Sequence, residues 1–178
     1  MYCGSRDGNN SVYISAAKQL GAELVKRNIE LVYGGASIGL MGAVADAVIT
    51  HGGKVTGVIP QSIVDMEVAH PGLADLRVVA DMHERKALMA SLSDGFIAMP
   101  GGLGTLEEIF EALTWLQLGL HAKPCALFNV NAYYDLLISF LNQSVVSGFS
   151  KNTLFENVLI DEAPSGVIEL MSDYKLSV

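Results

Sequence analysis

The sequence predicts a doubly wound α/β domain, with a mostly parallel sheet of about seven strands and helices on both faces. Three observations lead there. Short apolar runs rich in β-branched residues alternate with longer stretches of helical period. Several of those runs end in loops of glycine and small polar residues. A length of 178 residues at 51% hydrophobic supplies one sizeable core and not two, so residues 1–178 read as a single domain without linker or repeat.

The elements follow in order. A first strand covers residues 1–3, and helical periodicity carries 11–27. The strand 31–33 (LVY) runs into Gly34-Gly35-Ala36-Ser37 and a helix over 38–51. Strands 54–59 (KVTGVI) and 76–80 (LRVVA) are separated by Pro60 to Asp75, the one connection longer than a tight turn and long enough to serve or cover a site. Helix 82–93, strand 95–99 (GFIAM), helix 105–119, strand 124–129 (PCALFN), helix 133–147, strand 158–160 and a terminal helix over 165–173 complete the pattern. In such sheets ligands sit beyond the carboxyl ends of the strands, near the point where strand order reverses. The strand-to-helix loops at 3–5, 34–37 and 101–105 are therefore where a site is expected.

Composition narrows the function. A net charge of -8, from 11 Lys+Arg against 19 Asp+Glu, removes the basic footprint that nucleic-acid backbones and anionic membranes require. A small-molecule ligand fits better. No stretch approaches the roughly 18 apolar residues of a transmembrane helix, and the N-terminus lacks a signal-peptide layout, so a cytoplasmic location is expected. Cys3 and Cys125 lie far apart in strand-like contexts, which predicts buried, reduced thiols rather than a disulfide. His70 and His83 have no second histidine or cysteine at ligand spacing, so no metal is expected.

The stretch MPGGLGTLEE, residues 99–108, carries the chemistry. Gly101, Gly102 and Gly104 follow a strand and open a helix, where bare backbone N–H groups and the helix dipole suit a phosphate. It is neither a P-loop nor a dinucleotide fingerprint, because no Gly-Lys-Ser/Thr follows and Glu107 occupies the third glycine position. A plain chain turn would also use these glycines. The pair Gly34-Gly35 echoes Gly101-Gly102 and adds Gly35 and Ser37 as candidate ligand contacts, while close helix-to-sheet packing explains Gly39 and Gly42.

Glu108 stands three positions after Thr105, the spacing of a capping box. It either caps the helix or faces a ligand, and local spacing leaves both open. Glu107 and Glu111 fall on the same general side, which continues into Trp115 and Leu118, whereas Leu106, Ile109, Phe110, Leu113 and Leu116 form the core stripe. An apolar second side needs a second cover, which predicts a subunit interface with the carboxylates at its edge. Upstream, Asp81 and Glu84 have capping-box spacing, and Arg85 occupies the first turn of the stripe Leu88, Met89, Leu92. A cation there must snorkel beside an acid or meet a ligand phosphate or catalytic carboxylate. Lys86, turned about 100° away, is available to neutralise further negative charge.

The segments Gly34-Gly35-Ala36-Ser37-x-Gly39-Leu40-Met41-Gly42, Met82-His83-Glu84-Arg85-Lys86 and Pro100-Gly101-Gly102-Leu103-Gly104-Thr105-Leu106-Glu107-Glu108 closely resemble the Lonely guy (LOG) family. Its members are cytokinin riboside 5'-monophosphate phosphoribohydrolases, many of them mislabelled lysine decarboxylases. The resemblance covers nearly the whole chain. It implies a Rossmann-like homodimer, free of cofactor, that hydrolyses the N-glycosidic bond of a nucleoside 5'-monophosphate to free base and ribose 5-phosphate. It puts the catalytic pair on Arg85 and Glu108, and nucleotide contacts on Glu67, Arg85, Lys86, Gly101, Gly102, Leu103, Gly104, Thr105, Leu106, Glu107 and Thr114. Family members carry a fuller apolar strand before Cys-Gly-Ser than the Met1-Tyr2 found here, which predicts a shortened first strand.

Glycosidic cleavage builds positive charge on the ribose, which an ionised carboxylate stabilises or relieves by activating water. That role is expected of Glu108, with Arg85 binding substrate or orienting the glutamate, and Glu67 recognising base or ribose. Two alternatives stay open. One is a general purine or pyrimidine 5'-nucleotide nucleosidase. The other is a nucleotide or cofactor carrier on the same fold that cleaves nothing.

Overall fold

The computed structural model describes residues 1–66 and 68–175. Among them, six strands form: β1 Leu31–Tyr33, β2 Val55–Pro60, β3 Asp75–Val79, β4 Phe96–Ala98, β5 Cys125–Phe128 and β6 Val158–Asp161. The helices are α1 Ser11–Lys26, α2 Gly39–Thr50, α3 Gln61–Val64, α4 Met82–Leu92, α5 Leu103–Gln117, α6 Asp135–Val146, α7 Thr153–Asn157 and α8 Pro164–Ser172, with a 3-10 turn at Val130–Ala132 before α6. Every pairing between these strands is parallel, in two ladders ordered β1-β2-β3 and β4-β5-β6. The doubly wound α/β class is as expected.

The strand count is one fewer than expected, because residues 1–3 form a single bridge, Tyr2 to Ala98, instead of a ladder. That short segment is nevertheless the seam of the molecule. Tyr2 N donates to Ile97 O and Met99 N to Tyr2 O, both at 2.9 Å, while Gly4 N donates to Pro100 O at 3.0 Å. On the other side the Met1 nitrogen donates to Val32 O at 2.6 Å. The spatial order is therefore β3-β2-β1, residues 1–4, then β4-β5-β6. Strand order reverses at the seam, and the loops after Tyr2 and after β4 flank the crevice there.

Two apolar layers cover the sheet. On one face α1, α2 and α8 bury Leu20, Leu24, Val44, Val48 and Ile168 against β1 and the seam. Asn10 starts α1 by accepting a hydrogen bond from Val12 N at 3.0 Å. The positions Ala17, Leu20, Gly21 and Leu24 then recur at the three-to-four spacing that keeps one stripe inward. On the other face Met89 of α4, Ile109, Ala112, Leu113 and Leu116 of α5, and Tyr134 fill the layer against β4 and β5. Cys3 and Cys125 are buried and free, and burial pushes both thiols up to about 12.

Two departures from the expected elements bear on the site. The long connection after β2 holds α3 and folds back on the loop after β1. There Ala36 bridges Ala69, Ser37 N donates to Val68 O at 2.8 Å, and His70 N donates to Gly35 O at 2.9 Å. The Val68 carbonyl and the His70 N–H thus find their partners in that loop. Gly39 packs against neither sheet nor strand. It has φ +61°, and a Cβ there would lie 2.3 Å from the Ser5 backbone carbon, so the start of α2 sits directly on the loop after the seam. Leu40 N donates to Gly4 O at 3.1 Å in the same contact. Gly39→Ala is expected to lower unfolding stability by at least about 1–3 kcal/mol, the cost of a strained left-handed residue before any clash. A urea midpoint equal to that of the parent protein would show that this contact does not constrain the loop.

Candidate active site

A cleft of about 530 Å³ opens at the carboxyl ends of the strands beside the seam. The Cys3–Gly8 segment forms one wall, Met82 and Arg85 of α4 another, and the Pro100–Thr105 loop with Glu107 and Glu108 the third. Tyr13 and Tyr133 close its end.

The glycine loop delivers a helix N-terminus into this cleft. The helix α5 begins at Leu103, two residues earlier than the spacing predicts, with Gly102 at the cap position and no side chain capping it. Leu106 N is the first to bond within the helix, to Gly102 O at 3.1 Å. The N–H groups of Leu103, Gly104 and Thr105 thus lack intrahelical acceptors and lie at the cleft. With the partial positive charge of the dipole, they have the chemistry to receive an anion. The earlier start also removes the expected capping box: Thr105 is a buried first-turn residue, not the cap.

Freed from capping, Glu108 turns inward. It and Arg85 are each about 8% exposed, and Arg85 Nη1 lies 3.1 Å from Glu108 Oε1. The contact compensates charge without a well-aligned hydrogen bond, since Glu108 Oε1 has no hydrogen-bond partner. Burial pushes the Glu108 carboxyl above the usual carboxylate range, against the opposing pull of Arg85. The three-carboxylate cluster expected on one side of α5 is accordingly corrected, because Glu108 belongs to the inner face and only Glu107 and Glu111 to the outer.

Arg85 reaches this position because Asp81 starts α4, accepting from His83 N at 2.8 Å and Glu84 N at 2.9 Å. Glu84 Oε2 reaches one residue further back than a capping box requires, accepting from Ala80 N at 2.8 Å. The guanidinium donates through Nε to Val58 O at 3.1 Å. It occupies the room left by Gly34, where a Cβ would fall 2.1 Å from Nη2. The Gly34-Gly35 pair therefore serves the arginine and the long loop more than a ligand.

Lys86, one position on, faces the outer carboxylates. Its Nζ donates to Glu107 Oε1 and, at 3.1 Å, to Glu111 Oε1. The Glu107 hydrogen bond foremost, with that of Glu111, holds the ammonium above its usual range. Lys86 joins α4 to α5 and neutralises the cleft rim.

Other expected contacts are distributed elsewhere. Leu106 is half-buried and packs against the core. Ser37 Oγ donates to Val68 O at 3.3 Å, and Gly35 lies against Ile59 and Leu76, neither of them lining the cleft. Thr114 is exposed further along α5, its hydroxyl donating to Phe110 O at 2.6 Å. Glu67 lies outside the described residues. His83 is exposed, and His70 pairs with Asp46 at 3.1 Å. Among the described residues no group of three or more His, Cys, Asp or Glu is arranged to hold a metal. Sequence reasoning missed Tyr13, Tyr133 and Met82 as cleft residues. The available signal was position, since Tyr133 follows the carboxyl end of β5.

Fold and site together define a doubly wound α/β protein with an uncapped helix N-terminus above a buried arginine–glutamate pair. The chain belongs to the Lonely guy (LOG) family. A family model described as "Possible lysine decarboxylase" matches residues 41–171. The chain is 47% identical over 174 residues to cytokinin riboside 5'-monophosphate phosphoribohydrolase LOG1 of Arabidopsis thaliana, covering 98% of this chain and 82% of that protein. It is also 47% identical over 169 residues to the cytokinin riboside 5'-monophosphate phosphoribohydrolase of Rhodococcoides fascians, covering 94% and 85%. Among solved structures, the molybdenum cofactor binding protein of Rippkaea orientalis superposes with a TM-score of 0.69 at 23% identity, covering 96% of this chain and 92% of that one. The Moco carrier protein of Chlamydomonas reinhardtii gives 0.68 at 19%, covering 96% and 91%. These two share the fold.

Arg85→Leu leaves Glu108 buried without a counter-charge. Stability is expected to fall by about 3–5 kcal/mol at neutral pH. The loss should shrink as pH drops and the carboxyl, its folded-state pKa now raised further above the unfolded value, takes up its proton. Urea unfolding at two pH values measures this, and a pH-independent loss would assign Arg85 to packing alone.

Proposed function

We propose that the protein is an N-glycosyl hydrolase that cleaves cytokinin riboside 5'-monophosphates, and AMP, to free base and ribose 5-phosphate. The observation that carries the reading is the buried Arg85–Glu108 pair in the same cleft as the uncapped N-terminus of α5. The relatives are named for this activity, and the chain spans well over two thirds of their length.

In the proposed mechanism the 5'-phosphate sits on the N–H groups of Leu103, Gly104 and Thr105, and anchors the sugar. The reacting carbon then faces Glu108, roughly 5 Å further along the helix axis from Thr105, three residues at 1.5 Å each. As the C1'–N bond breaks, its electron pair leaves with the base and positive charge spreads over the ribose ring. The Glu108 carboxylate stabilises that charge and takes a proton from the water whose oxygen bonds to C1'. The departing base nitrogen takes a proton from solvent, and Glu108 returns to solvent the one it took from the water. Arg85 fixes the carboxylate and limits how far burial raises its pKa. The family model's description fits the site less well. A Schiff-base lysine must become a neutral amine, whereas Lys86, the lysine adjoining the site, is held charged by two glutamates.

We also infer a homodimer in the cytosol. Leu118 and Leu120 beyond α5, and Leu136 and Phe140 on α6, are each about two-thirds exposed or more. Leu118 belongs to the second side of α5 that the sequence predicts to need a cover, and the exposure of all four supports that reading. Among the described residues no helix is long and apolar enough to cross a membrane. Thr114 lies on the exposed side of α5 and belongs, on this reading, to the interface. Leu118→Asp is expected to shift the sedimenting species from dimer to monomer at micromolar concentration, and a monomeric parent protein would rule the dimer out.

Incubation with AMP and with isopentenyladenosine 5'-monophosphate, followed by chromatography, should yield free base. No base from any nucleoside monophosphate would reject the hydrolase in favour of a carrier, and equal rates across purine and pyrimidine nucleotides would favour a general nucleosidase. Glu108→Gln should lose at least about a hundredfold in rate. Because Glu108 acts ionised with its pKa raised from 4.5, kcat/KM should fall on the acidic side at a higher pH than an ordinary glutamate dictates. An acidic limb unchanged in Glu108→Gln would assign that limb to another group.

A further inference from the structure

We propose that Tyr133 is a positioning residue that preforms the glycine loop for its anion. The inference rests on the reading of that loop as the 5'-phosphate site. At Gly102 and Gly104 nothing lies within 4 Å of where a Cβ would sit, so no side chain packs on that side. Gly104 is held within α5, so hydrogen-bond donors from outside the loop must order its entry at Gly101 and Gly102 before a phosphate arrives. The adjacent tyrosines after β5 do so from below and beside the loop. Tyr134 is wholly buried and donates from its hydroxyl to Met99 O at 2.6 Å. Tyr133 donates from its hydroxyl to Gly101 O. The two phenols thus clamp the chain on either side of Pro100. In a trans peptide the carbonyl and the following N–H point in opposite directions, so fixing Gly101 O fixes the direction of Gly102 N–H and the entry into α5.

The turn carrying Tyr133 is built at a cost. Asn131 and Ala132 both adopt left-handed backbone, with φ of 52° and 58°, a conformation that alanine in particular disfavours. Such strain persists where its surroundings over-determine it. Here Asn129, itself buried, accepts from Tyr134 N at 2.7 Å and donates to Asp135 Oδ1 at 2.8 Å. The Tyr133 ring is braced edge-to-face by Tyr13 at 5.9 Å and by Tyr134 at 5.0 Å. Tyr134 alone would anchor the turn to the core. Tyr133 is 42% exposed and lines the cleft, so its hydrogen bond serves the loop at the site.

Tyr133→Phe keeps the ring and both aromatic contacts and removes only the hydroxyl. With AMP as substrate, KM is expected to rise about five- to tenfold, the worth of one hydrogen bond, with kcat changed less than twofold. Ribose 5-phosphate, titrated calorimetrically, should weaken by the same factor, while inhibition by adenosine, which lacks the phosphate, stays at the parent value. A parent-like KM and ribose 5-phosphate affinity in Tyr133→Phe would overturn the proposal, as would an equal weakening of adenosine. If the unmodified protein binds adenosine but not ribose 5-phosphate, the phosphate reading of the loop fails and the inference falls with it.

Discussion

The ion pair between Arg85 and Glu108 is the contact around which the site is organised. Each partner alone would cost several kcal/mol to remove from water, and together they offset that cost only if geometry and remaining hydrogen bonds are supplied. Three separate parts of the chain supply them. The Val58 carbonyl in β2 takes the arginine Nε, Gly34 at the end of β1 leaves room for the guanidinium, and α5 brings the carboxylate. Moving any one of them strands a buried charge. The pair adds little to net stability, but it fixes how α4 and α5 sit across the point where strand order reverses.

That constraint separates two opposite charge preferences within one cleft. The first-turn N–H groups of α5 favour an anion at the mouth, and Glu108, one turn inward, favours a cation beneath it. The protein's overall negative charge does not defeat the anion site, because Lys86 ties up Glu107 and Glu111 at the rim. A nucleoside 5'-monophosphate has the matching distribution, with a permanent anion at one end of the ribose and developing positive charge at the other. The raised pKa of Glu108 has the same origin, since the burial that makes a carboxylate more basic also strengthens its field at any positive charge beside it.

Much of this was legible in the chain. Alternating apolar runs and helical periods gave the parallel α/β class, because burial on both sheet faces makes strands continuously apolar. The glycine loops and the apolar position of Arg85 marked the cleft. The role of Glu108 was not legible, since a residue three positions after a threonine is as well suited to capping as to chemistry. The answer turned on where α5 begins. Leu103 and Gly104 join the helix, which moves the cap to Gly102 and turns Glu108 inward. Gly35 and Ser37 look like ligand contacts in sequence and instead hold the long connection, because the backbone of residues 68–70 needs partners that only the fold brings near.

The sequence by itself determined the class of fold, the loops that border the cleft and the residue types available there. These depend on local periodicity and on the conformational freedom of glycine, which act over a few residues. Tertiary structure alone decided which charges meet. Arg85 and Glu108 are distant in sequence and lie on separate helices, and the seam formed by residues 1–4 draws together the elements that carry them. Tyr133 reaches Gly101 because β4 and β5, the strands they follow, pair side by side. Desolvation belongs to the assembled site, not to any residue in the chain, and it is desolvation that raises the Glu108 carboxyl above the range of an ordinary glutamate.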